Sequence, residues 1–293
     1  MKPAAFDYHS PATIDEAVQL LSELGDDAKI IAGGQSLMPM LNLRLAAFDH
    51  LVDLRRIGDL RGIEVRDDSV WIGAGTTHTA IGRSAQIRSN VPLLAEATPL
   101  IGHFQIRNRG TIGGSIAHAD AAAEYPAVTL ALDAEFDAIS PRGVRRIAAT
   151  DFFKGLWGTE LAEDEILTGV IVPIRSGRTG YAIEEFARRS GDFAIAGAAV
   201  SVRLDADSRV EHCAIALFGL ASSVVRVQTV EQSVIGLRAD DIEPDGIGVD
   251  ALASLSSIPA DLHGSADYRK RVGSLMVARA WRRAVEGAIN DQH

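Results

Sequence analysis

Two short glycine-rich stretches carry the residue types best suited to holding an anionic ligand. The first is Ala32-Gly33-Gly34-Gln35-Ser36, and the second is Thr111-Ile112-Gly113-Gly114-Ser115. Glycine has no Cβ and tolerates positive φ, so backbone N–H groups in such turns can approach a ligand closely and form a concave anion site. Each serine hydroxyl adds one more donor. The pair indicates a ligand held from two sides, and a diphosphate would suit it.

Either stretch alone is also compatible with an ordinary turn, because glycine pairs are common in turns. The sequence around the first stretch favours a binding role. Residues 29–32 predict a short buried strand, and residues 37–41 predict the start of a helix, where Pro39 is tolerated in the first turn. A strand, a glycine turn and a helix N-terminus together present N–H groups to phosphate.

A third glycine segment has a different interpretation. Gly73-Ala74-Gly75-Thr76-Thr77-His78 looks like a dinucleotide fingerprint, but His78 stands at its third glycine position. No βαβ unit with an acidic residue about twenty positions further on is evident. We therefore expect Thr76 and Thr77 to cap the short helix that follows.

His118 and Asp120 are spaced as two residues that could ligate a metal, but the neighbouring sequence offers no third ligand. No His-Glu-x-x-His pattern occurs anywhere in the chain. Ser115 completes a possible Ser/His/Asp set on the same loop, whereas the members of a catalytic triad normally converge from distant segments. The sequence therefore predicts neither a metal site nor a catalytic residue here.

Composition narrows the class of protein. The 293 residues carry a formal net charge of −10, which argues against nucleic-acid binding because there is no basic surplus to neutralise phosphates. The single cysteine, Cys213, excludes an internal disulfide, a structural zinc site and an iron–sulfur cluster on this chain. We expect Cys213 to be a small apolar strand residue. No apolar segment is typical of a signal peptide or a membrane span, so we expect a cytoplasmic protein.

The elements that must position the glycine turns divide into an N-terminal and a C-terminal part. Residues 13–16 predict a capping box opening the first helix, which ends at Gly25. Two hairpins are predicted, at residues 62–72 and 135–147, and a helix at 91–101. The polar segment 175–180 is the best candidate boundary. Beyond it, residues 181–187, 194–204 and 209–217 predict three long antiparallel strands, and residues 249–255 and 266–288 predict covering helices.

Both glycine stretches, with their continuations through residues 46 and 120, closely resemble the paired signatures of the FAD-binding subunit of molybdenum hydroxylases, of the type represented by the carbon monoxide dehydrogenase medium subunit. A third similar stretch is residues 188–194, and a fourth is Asp267-Tyr268-Arg269-Lys270 near the C-terminus. The resemblance runs from the first helix almost to the end of the chain. Two departures stand out: Ala121 where many relatives have proline, and Phe193 where many have tyrosine.

The resemblance implies an α+β fold. Residues 1–177 would form the two-subdomain FAD-binding fold of the vanillyl-alcohol-oxidase (PCMH) type, with subdomains at about 1–57 and 58–177. Residues 178–293 would form a domain with a three-stranded antiparallel sheet covered by helices. The diphosphate of FAD would lie between the two turns, held by backbone N–H groups of both.

The resemblance also implies roles for individual residues. Ile101 and Gly102 would lie near the dinucleotide, Glu124 would contact the polyol or ribose region, and Leu167 would form an apolar wall. Phe193 would lie beside the isoalloxazine, although a plain core aromatic is an equal alternative. The implied FAD-binding set is Ala32, Gly33, Gly34, Gln35, Ser36, Ile101, Gly102, Thr111, Ile112, Gly113, Gly114, Ser115, Glu124, Leu167 and Phe193.

In the family, a large subunit carries the molybdopterin centre and a small subunit carries iron–sulfur clusters. This chain would then be an FAD-binding electron-transfer subunit of the oxidoreductase, in a dimer of heterotrimers, passing electrons to an external acceptor. It would use no catalytic residue and no metal of its own. The alternatives are a stand-alone FAD-dependent reductase similar to UDP-N-acetylenolpyruvoylglucosamine reductase and a non-catalytic nucleotide-binding module.

Overall fold

The computed structural model describes residues 1–290 and contains three separate sheets. The strands are β1 Asp7–His9, β2 Ala28–Ile31, β3 His50–Asp53, β4 Ile63–Val65, β5 Ser69–Gly73, β6 Glu135–Ser140, β7 Gly143–Ala148, β8 Ile166–Pro173, β9 Thr179–Phe186, β10 Ala196–Leu204, β11 Val210–Phe218 and β12 Val225–Arg226. The helices are α1 Ile14–Leu24, α2 Leu37–Asn42, α3 His78–Arg83, α4 Ala85–Asn90, α5 Pro92–Ala97, α6 Phe104–Arg107, α7 Ile112–His118, α8 Glu124–Ala131, α9 Ala149–Phe152, α10 Gln228–Val234, α11 Pro244–Ala253 and α12 Ala266–Asn290.

The first sheet is small and parallel, with strand order β1-β3-β2. Helix α1 covers it and starts with a capping box whose return bond is shifted by one residue. The Glu16 N–H donates to Oγ1 of the cap residue Thr13 at 3.2 Å, and Glu16 Oε2 accepts from the N–H of Ala12, one residue before the cap, at 2.7 Å. Gly25 ends the helix with φ of 57°. The buried side chains of α1 pack against those of β3, so β2 is held with its C-terminal end leading into the first glycine turn.

The second sheet is antiparallel, with order β4-β5-β8-β6-β7. Both predicted hairpins are confirmed as β4–β5 and β6–β7. The helix predicted over 91–101 is shorter, since α5 ends at Ala97. A large apolar core lies between this sheet and helices α3, α5, α7 and α8. The core fixes the start of α7, which is the second glycine turn.

The third sheet is antiparallel with order β12-β11-β10-β9. It has four strands rather than the predicted three, because Val225 and Arg226 pair with Leu217 and Ala216 at one edge. Two residues are too few to give a readable periodicity. Helix α10 was likewise not predicted, and α11 begins earlier than expected. Cys213 is a buried residue of β11, as predicted.

Helix α12 packs along β9 and β10, and two glycines of this sheet permit close contacts, Gly180 with α12 and Gly197 with β11. A Cβ on Gly180 would overlap the α12 backbone at Ala284, and one on Gly197 would overlap the Phe218 ring. Arg269 of α12 is buried and donates to the carbonyls of Ile195 at 2.6 Å and Gly219 at 2.8 Å. These bonds join the first turn of α12 to the residues just before β10 and just after β11.

An ion-pair cluster joins the third sheet to the second. Arg226 of β12 donates to Asp133 and, at 3.2 Å, to the Leu130 carbonyl at the end of α8. It also makes a two-point contact with Glu231, at 2.7 and 2.6 Å. Arg175 approaches Asp133 from the other side. The cluster therefore fixes the C-terminal sheet against the helices that line the cleft.

Along residues 1–290, no helix combines the length and the apolar character that a bilayer crossing requires. The same residues contain no group of three or more histidine, cysteine, aspartate or glutamate side chains that could hold a metal ion.

Candidate functional site

The two glycine turns are in direct contact, although they are far apart in the sequence. A Cβ on Gly33 would lie 2.7 Å from the Cα of Gly110, just before the second turn. A Cβ on Gly114 would lie 3.6 Å from the Cβ of Ala32. The absence of a side chain at Gly33 therefore allows the first turn to meet the segment before the second turn backbone to backbone.

The first turn has the unpaired donors that the sequence predicts. The backbone N–H groups of residues 33–36 donate to no other residue in the described part of the chain. Gly34 has φ of 72°, which a side chain would strain, and the Gln35 amide donates to the Gly33 carbonyl at 3.1 Å. Successive free N–H groups in such a turn form a site for an anion.

The second turn differs from the prediction. The N–H groups of residues 112–115 all donate within the protein: to the Thr76 carbonyl, the Ala74 carbonyl, Thr111 Oγ1 and the Thr111 carbonyl, at 2.9 to 3.1 Å. The expectation that both turns offer free N–H groups is therefore wrong for this turn. It lines the cleft instead with Gly114 and with the hydroxyl-bearing Ser115. Tertiary hydrogen bonds to the neighbouring β5–α3 loop take the N–H groups of residues 112 and 113, and Thr111, which caps α7, takes those of residues 114 and 115.

A cleft of about 1290 Å³ runs along both turns. Of the fifteen residues that the resemblance implied, all line this cleft except Ile112, which is fully buried in the core behind the second turn. The residues that line it are Ala32, Gly33, Gly34, Gln35, Ser36, Ile101, Gly102, Thr111, Gly113, Gly114, Ser115, Glu124, Leu167 and Phe193.

The C-terminal part of the chain also lines the cleft, through the loop between β9 and β10. Leu167 of β8 is 5% exposed there, whereas Phe193, in the loop between β9 and β10, is 65% exposed. Phe193 is therefore not a core aromatic. Gly191 of the same loop has φ of 84°, and a Cβ there would lie 2.8 Å from the Gly102 carbonyl. This contact holds the loop at the cleft.

The wall between α7 and α8 carries ionisable groups. His118 lies 4.0 Å from Asp120 and stacks on Trp157, with ring centroids 6.2 Å apart. Burial lowers the pKa of His118. Glu124, the first residue of α8, is 7% exposed, and burial raises its pKa to about 8. A neutral imidazole and a protonated carboxyl are thus available beside the cleft near neutral pH.

Sequence reasoning missed several residues that line the cleft. Lys29, Arg109 and Trp157 lie on loops or strand edges, where no periodicity marks them. The Thr76–His78 segment was interpreted only as a helix cap, which is confirmed for Thr77, since Thr77 Oγ1 accepts from Ala80 N–H at 3.2 Å. Thr76 instead bonds to the backbone of Gly62. Thr77 pairs with Thr111, and this pairing brings the segment to the second turn.

His78 is buried beneath the second turn without a hydrogen-bond partner at either ring nitrogen. Its ring packs edge-on against Tyr125, with centroids 5.0 Å apart. Burial lowers the pKa of His78 to about 4, because the cost of burying a charged imidazole exceeds the stabilisation that the Thr111 backbone gives to the charged form. The imidazole is therefore neutral in the folded chain at neutral pH.

This burial predicts a specific acid sensitivity. Between pH 6.5 and about pH 4 the unfolded chain binds a proton at His78 that the folded chain does not, so the free energy of unfolding falls as the pH is lowered. The contribution is on the order of 3 kcal/mol. We expect His78→Gln to flatten this part of a chemical-denaturation profile, and His263→Gln, an exposed control, to leave it unchanged. An unaltered profile in His78→Gln would contradict the assignment.

The sequence matches two families along most of its length. Residues 4–175 match the FAD binding domain in molybdopterin dehydrogenase, and residues 181–284 match the CO dehydrogenase flavoprotein C-terminal domain. The chain is 41% identical to the carbon monoxide dehydrogenase medium chain of Hydrogenophaga pseudoflava, covering 96% of this chain and 97% of that protein. It is 43% identical to the nicotine 6-hydroxylase medium subunit of Paenarthrobacter nicotinovorans, covering 95% and 97%.

Solved structures are similar over the same length. Carbon monoxide dehydrogenase from Hydrogenophaga pseudoflava, in a form lacking the Mo-pyranopterin moiety, superposes with a TM-score of 0.95 at 40% identity, covering 98% of this chain and 99% of that one. Quinoline 2-oxidoreductase from Pseudomonas putida 86 gives 0.90 at 35% identity, covering 99% and 100%. The α+β fold that the sequence predicted is thereby confirmed. With both halves matched and relatives above 40% identity over nearly the full length, the chain belongs to the FAD-binding medium-subunit family of molybdopterin dehydrogenases.

Proposed function

We propose that this chain binds one FAD in the cleft and serves as the electron-transfer subunit of a molybdenum hydroxylase complex. It would accept electrons from iron–sulfur clusters on a small subunit and pass them to an external acceptor. When bound, FAD supplies the redox chemistry, and the protein supplies its orientation and tunes its potential. We assign no substrate, because the substrate is expected to bind at the large molybdopterin-containing subunit.

The observation that carries this proposal is the row of unpaired N–H groups at residues 33–36, facing a cleft of about 1290 Å³. Pockets for drug-sized ligands hold about 300–1,000 Å³, so this cleft suits a dinucleotide. The first turn would hold the diphosphate through its N–H groups, and Ser115 would add a hydroxyl donor from the second turn. Gly114 would let the diphosphate approach closely.

The remaining residues would orient the rest of FAD. Leu167 and Phe193 would border the flavin ring, and Ile101 and Gly102 would lie along the dinucleotide. Glu124 would face the polyol or ribose. Ile112 would act only by packing, because its side chain is buried and its N–H is already bonded to Thr76. We also propose that the FAD-binding domain ends at about residue 177 and that its two subdomains meet at about residue 57. The position of the cleft, between the units defined in this way, supports this division.

The partner subunits are inferred from the redox groups that this chain would not carry itself. One cysteine cannot ligate an iron–sulfur cluster, so the upstream electron carriers and the molybdopterin would belong to a small and a large subunit. A dimer of such heterotrimers in the cytoplasm stays a prediction from the sequence.

Purification of the full-length chain alone tests the proposal. It is expected to bind FAD, to show an oxidised flavin spectrum, and to leave carbon monoxide, aldehydes and N-heterocycles unoxidised until the large and small subunits are added. Oxidation of such a substrate by the chain alone would contradict an electron-transfer role. A colourless chain that also failed to take up added FAD would favour the non-catalytic module.

The stand-alone reductase is tested in the same preparation. A reductase of the UDP-N-acetylenolpyruvoylglucosamine type would oxidise NADPH in the presence of that sugar nucleotide. We expect no such turnover, since residues 179–218 form strands of the sheet that matches the CO dehydrogenase flavoprotein C-terminal domain.

A further inference from the structure

A single nitrogen of Arg107 contacts three backbone carbonyls in the turn that follows α5. Nη1 donates to the carbonyl of Gly102 at 2.7 Å, to that of Ile101 at 2.9 Å and to that of Pro99 at 3.2 Å. Arg107, the last residue of α6, is half-buried and makes no ion pair with a described aspartate or glutamate. Its guanidinium is therefore committed to this turn of backbone and not to an acidic side chain.

The bonds to Arg107 also set the direction of a neighbouring N–H group. Residues 1–290 contain no cis peptide bond, and in a planar trans peptide the C=O and the N–H point in opposite directions. Because the Ile101 carbonyl points to Arg107, the N–H of Gly102 points away from it. That N–H donates to no other group in the described part of the chain, so it is an unused donor.

The unused donor belongs to a residue of the cleft. Gly102 lines the cleft, whereas Arg107 does not. The side of the turn opposite Arg107 is therefore the side that faces the ligand. Gly102 has φ of 48°, and as a glycine it has no Cβ to obstruct the approach of a ligand to its N–H.

The Gly102 carbonyl also meets the loop between β9 and β10. A Cβ on Gly191 would lie 2.8 Å from this carbonyl oxygen, the same oxygen that Arg107 binds. Phe193, two residues further along the loop, lines the cleft and is exposed. Gly102 is thus at the part of the cleft where the proposed function has the flavin ring. The carbonyl oxygens and ring nitrogens of that ring accept hydrogen bonds.

We propose that Arg107 is a positioning residue that holds the Ile101 and Gly102 carbonyls away from the cleft, so that the Gly102 N–H is presented to an acceptor atom of the flavin ring. Arg107 acts through the backbone, since it does not line the cleft itself. The contact with the flavin rests on the proposed function, because it needs FAD in this cleft. The arrangement of the turn does not, because it concerns only groups of this chain.

Amide hydrogen exchange of the full-length chain, labelled with ¹⁵N-glycine and followed by NMR, tests the arrangement. In the flavin-free wild-type chain the Gly102 N–H should exchange rapidly, because it has no partner. Saturating FAD should slow this exchange by at least about tenfold, and Arg107→Met should lose the protection. Arg107→Lys should keep it, because one nitrogen makes all three contacts and an ammonium group can replace that nitrogen.

The positioning role is tested by comparing the Kd for FAD with the Kd for ADP, which has the adenosine and the diphosphate but no flavin. Arg107→Met should raise the Kd for FAD about three- to tenfold, the effect of one misplaced hydrogen-bond donor. It should leave the Kd for ADP within about twofold, and Arg107→Lys should restore the Kd for FAD. Arg209→Met is the control, because it removes an exposed arginine that donates to the Gly236 carbonyl at 2.9 Å.

The outcomes separate the parts of the proposal. An unchanged Kd for FAD in Arg107→Met, or an equal rise for FAD and ADP, would overturn the positioning role. A Gly102 N–H that is already protected in the flavin-free chain would overturn the arrangement of the turn. A wild-type chain in which this N–H exchanges rapidly but which binds no FAD would leave that arrangement standing and overturn the proposed function.

Discussion

Replacing Gly33 with alanine is expected to weaken FAD binding by at least about 100-fold. The added Cβ would lie 2.7 Å from the Cα of Gly110 and would also overlap the carbonyl group of Arg109. These are backbone atoms of the segment that enters the second turn, so they cannot move away as a side chain would. The two turns would be forced apart, and the N–H groups of residues 33–36 would be displaced from the diphosphate.

The magnitude follows from the hydrogen bonds at risk. A hydrogen bond to a charged group contributes about 1.5–3 kcal/mol, and about 1.4 kcal/mol corresponds to a tenfold change in Kd. Losing two such bonds at the first turn is therefore enough for the expected effect. Overpacking of this kind also costs about 1–3 kcal/mol of folding stability, so the free energy of unfolding is measured in parallel with Kd.

Gly58→Ala is the matched control, because it adds the same methyl group at a glycine with no heavy atom within 4 Å. It should bind FAD like the wild-type chain. Equal Kd values for Gly33→Ala and the wild-type chain would show that the contact between the turns does not position the diphosphate.

Replacing Arg226 with alanine is expected to lower the free energy of unfolding by about 3–5 kcal/mol, the usual cost of removing one partner of a buried ion pair. Its guanidinium is 10% exposed and satisfies Glu231, whose side chain is 6% exposed, as well as Asp133 and the Leu130 carbonyl. Without it, Glu231 is left as a buried carboxylate that bonds only to the Ile215 N–H.

The loss should also be visible at the cleft. Arg226 joins the C-terminal sheet to the end of α8, and the loop carrying Phe193 belongs to that sheet. Limited proteolysis should therefore cut between β8 and β9 sooner in this variant. Arg203→Ala breaks an exposed pair with Glu211 on the same sheet and should change stability by less than about 1 kcal/mol. Similar denaturation midpoints for the two variants would contradict the structural role assigned to Arg226.

The sequence was informative where local chemistry decides the conformation. The capping box of α1, the hairpins β4–β5 and β6–β7, and the three long C-terminal strands all follow from short-range patterns, and the structure contains each of them. The two glycine stretches were found in the same way. Because φ preferences, caps and side-chain alternation act within a few residues, they can be read from the order of residues alone.

Tertiary structure decided that the two glycine turns lie together, and that only the first of them has N–H groups free of hydrogen bonds. Nothing near Gly33 in the sequence reveals that it packs against Gly110, and nothing near Gly113 reveals that its N–H is taken by the Ala74 carbonyl. The same holds for β12, whose two residues become a strand only beside β11.

The sequence by itself therefore determined the α+β class, the family and the presence of two glycine turns. Tertiary structure decided which of their N–H groups remain free for a ligand, which carboxyls are buried without a cation, and which loop of the C-terminal sheet closes the cleft. Hydrogen-bond competition and burial depend on residues that are distant along the chain, and those residues meet only when the three sheets pack together.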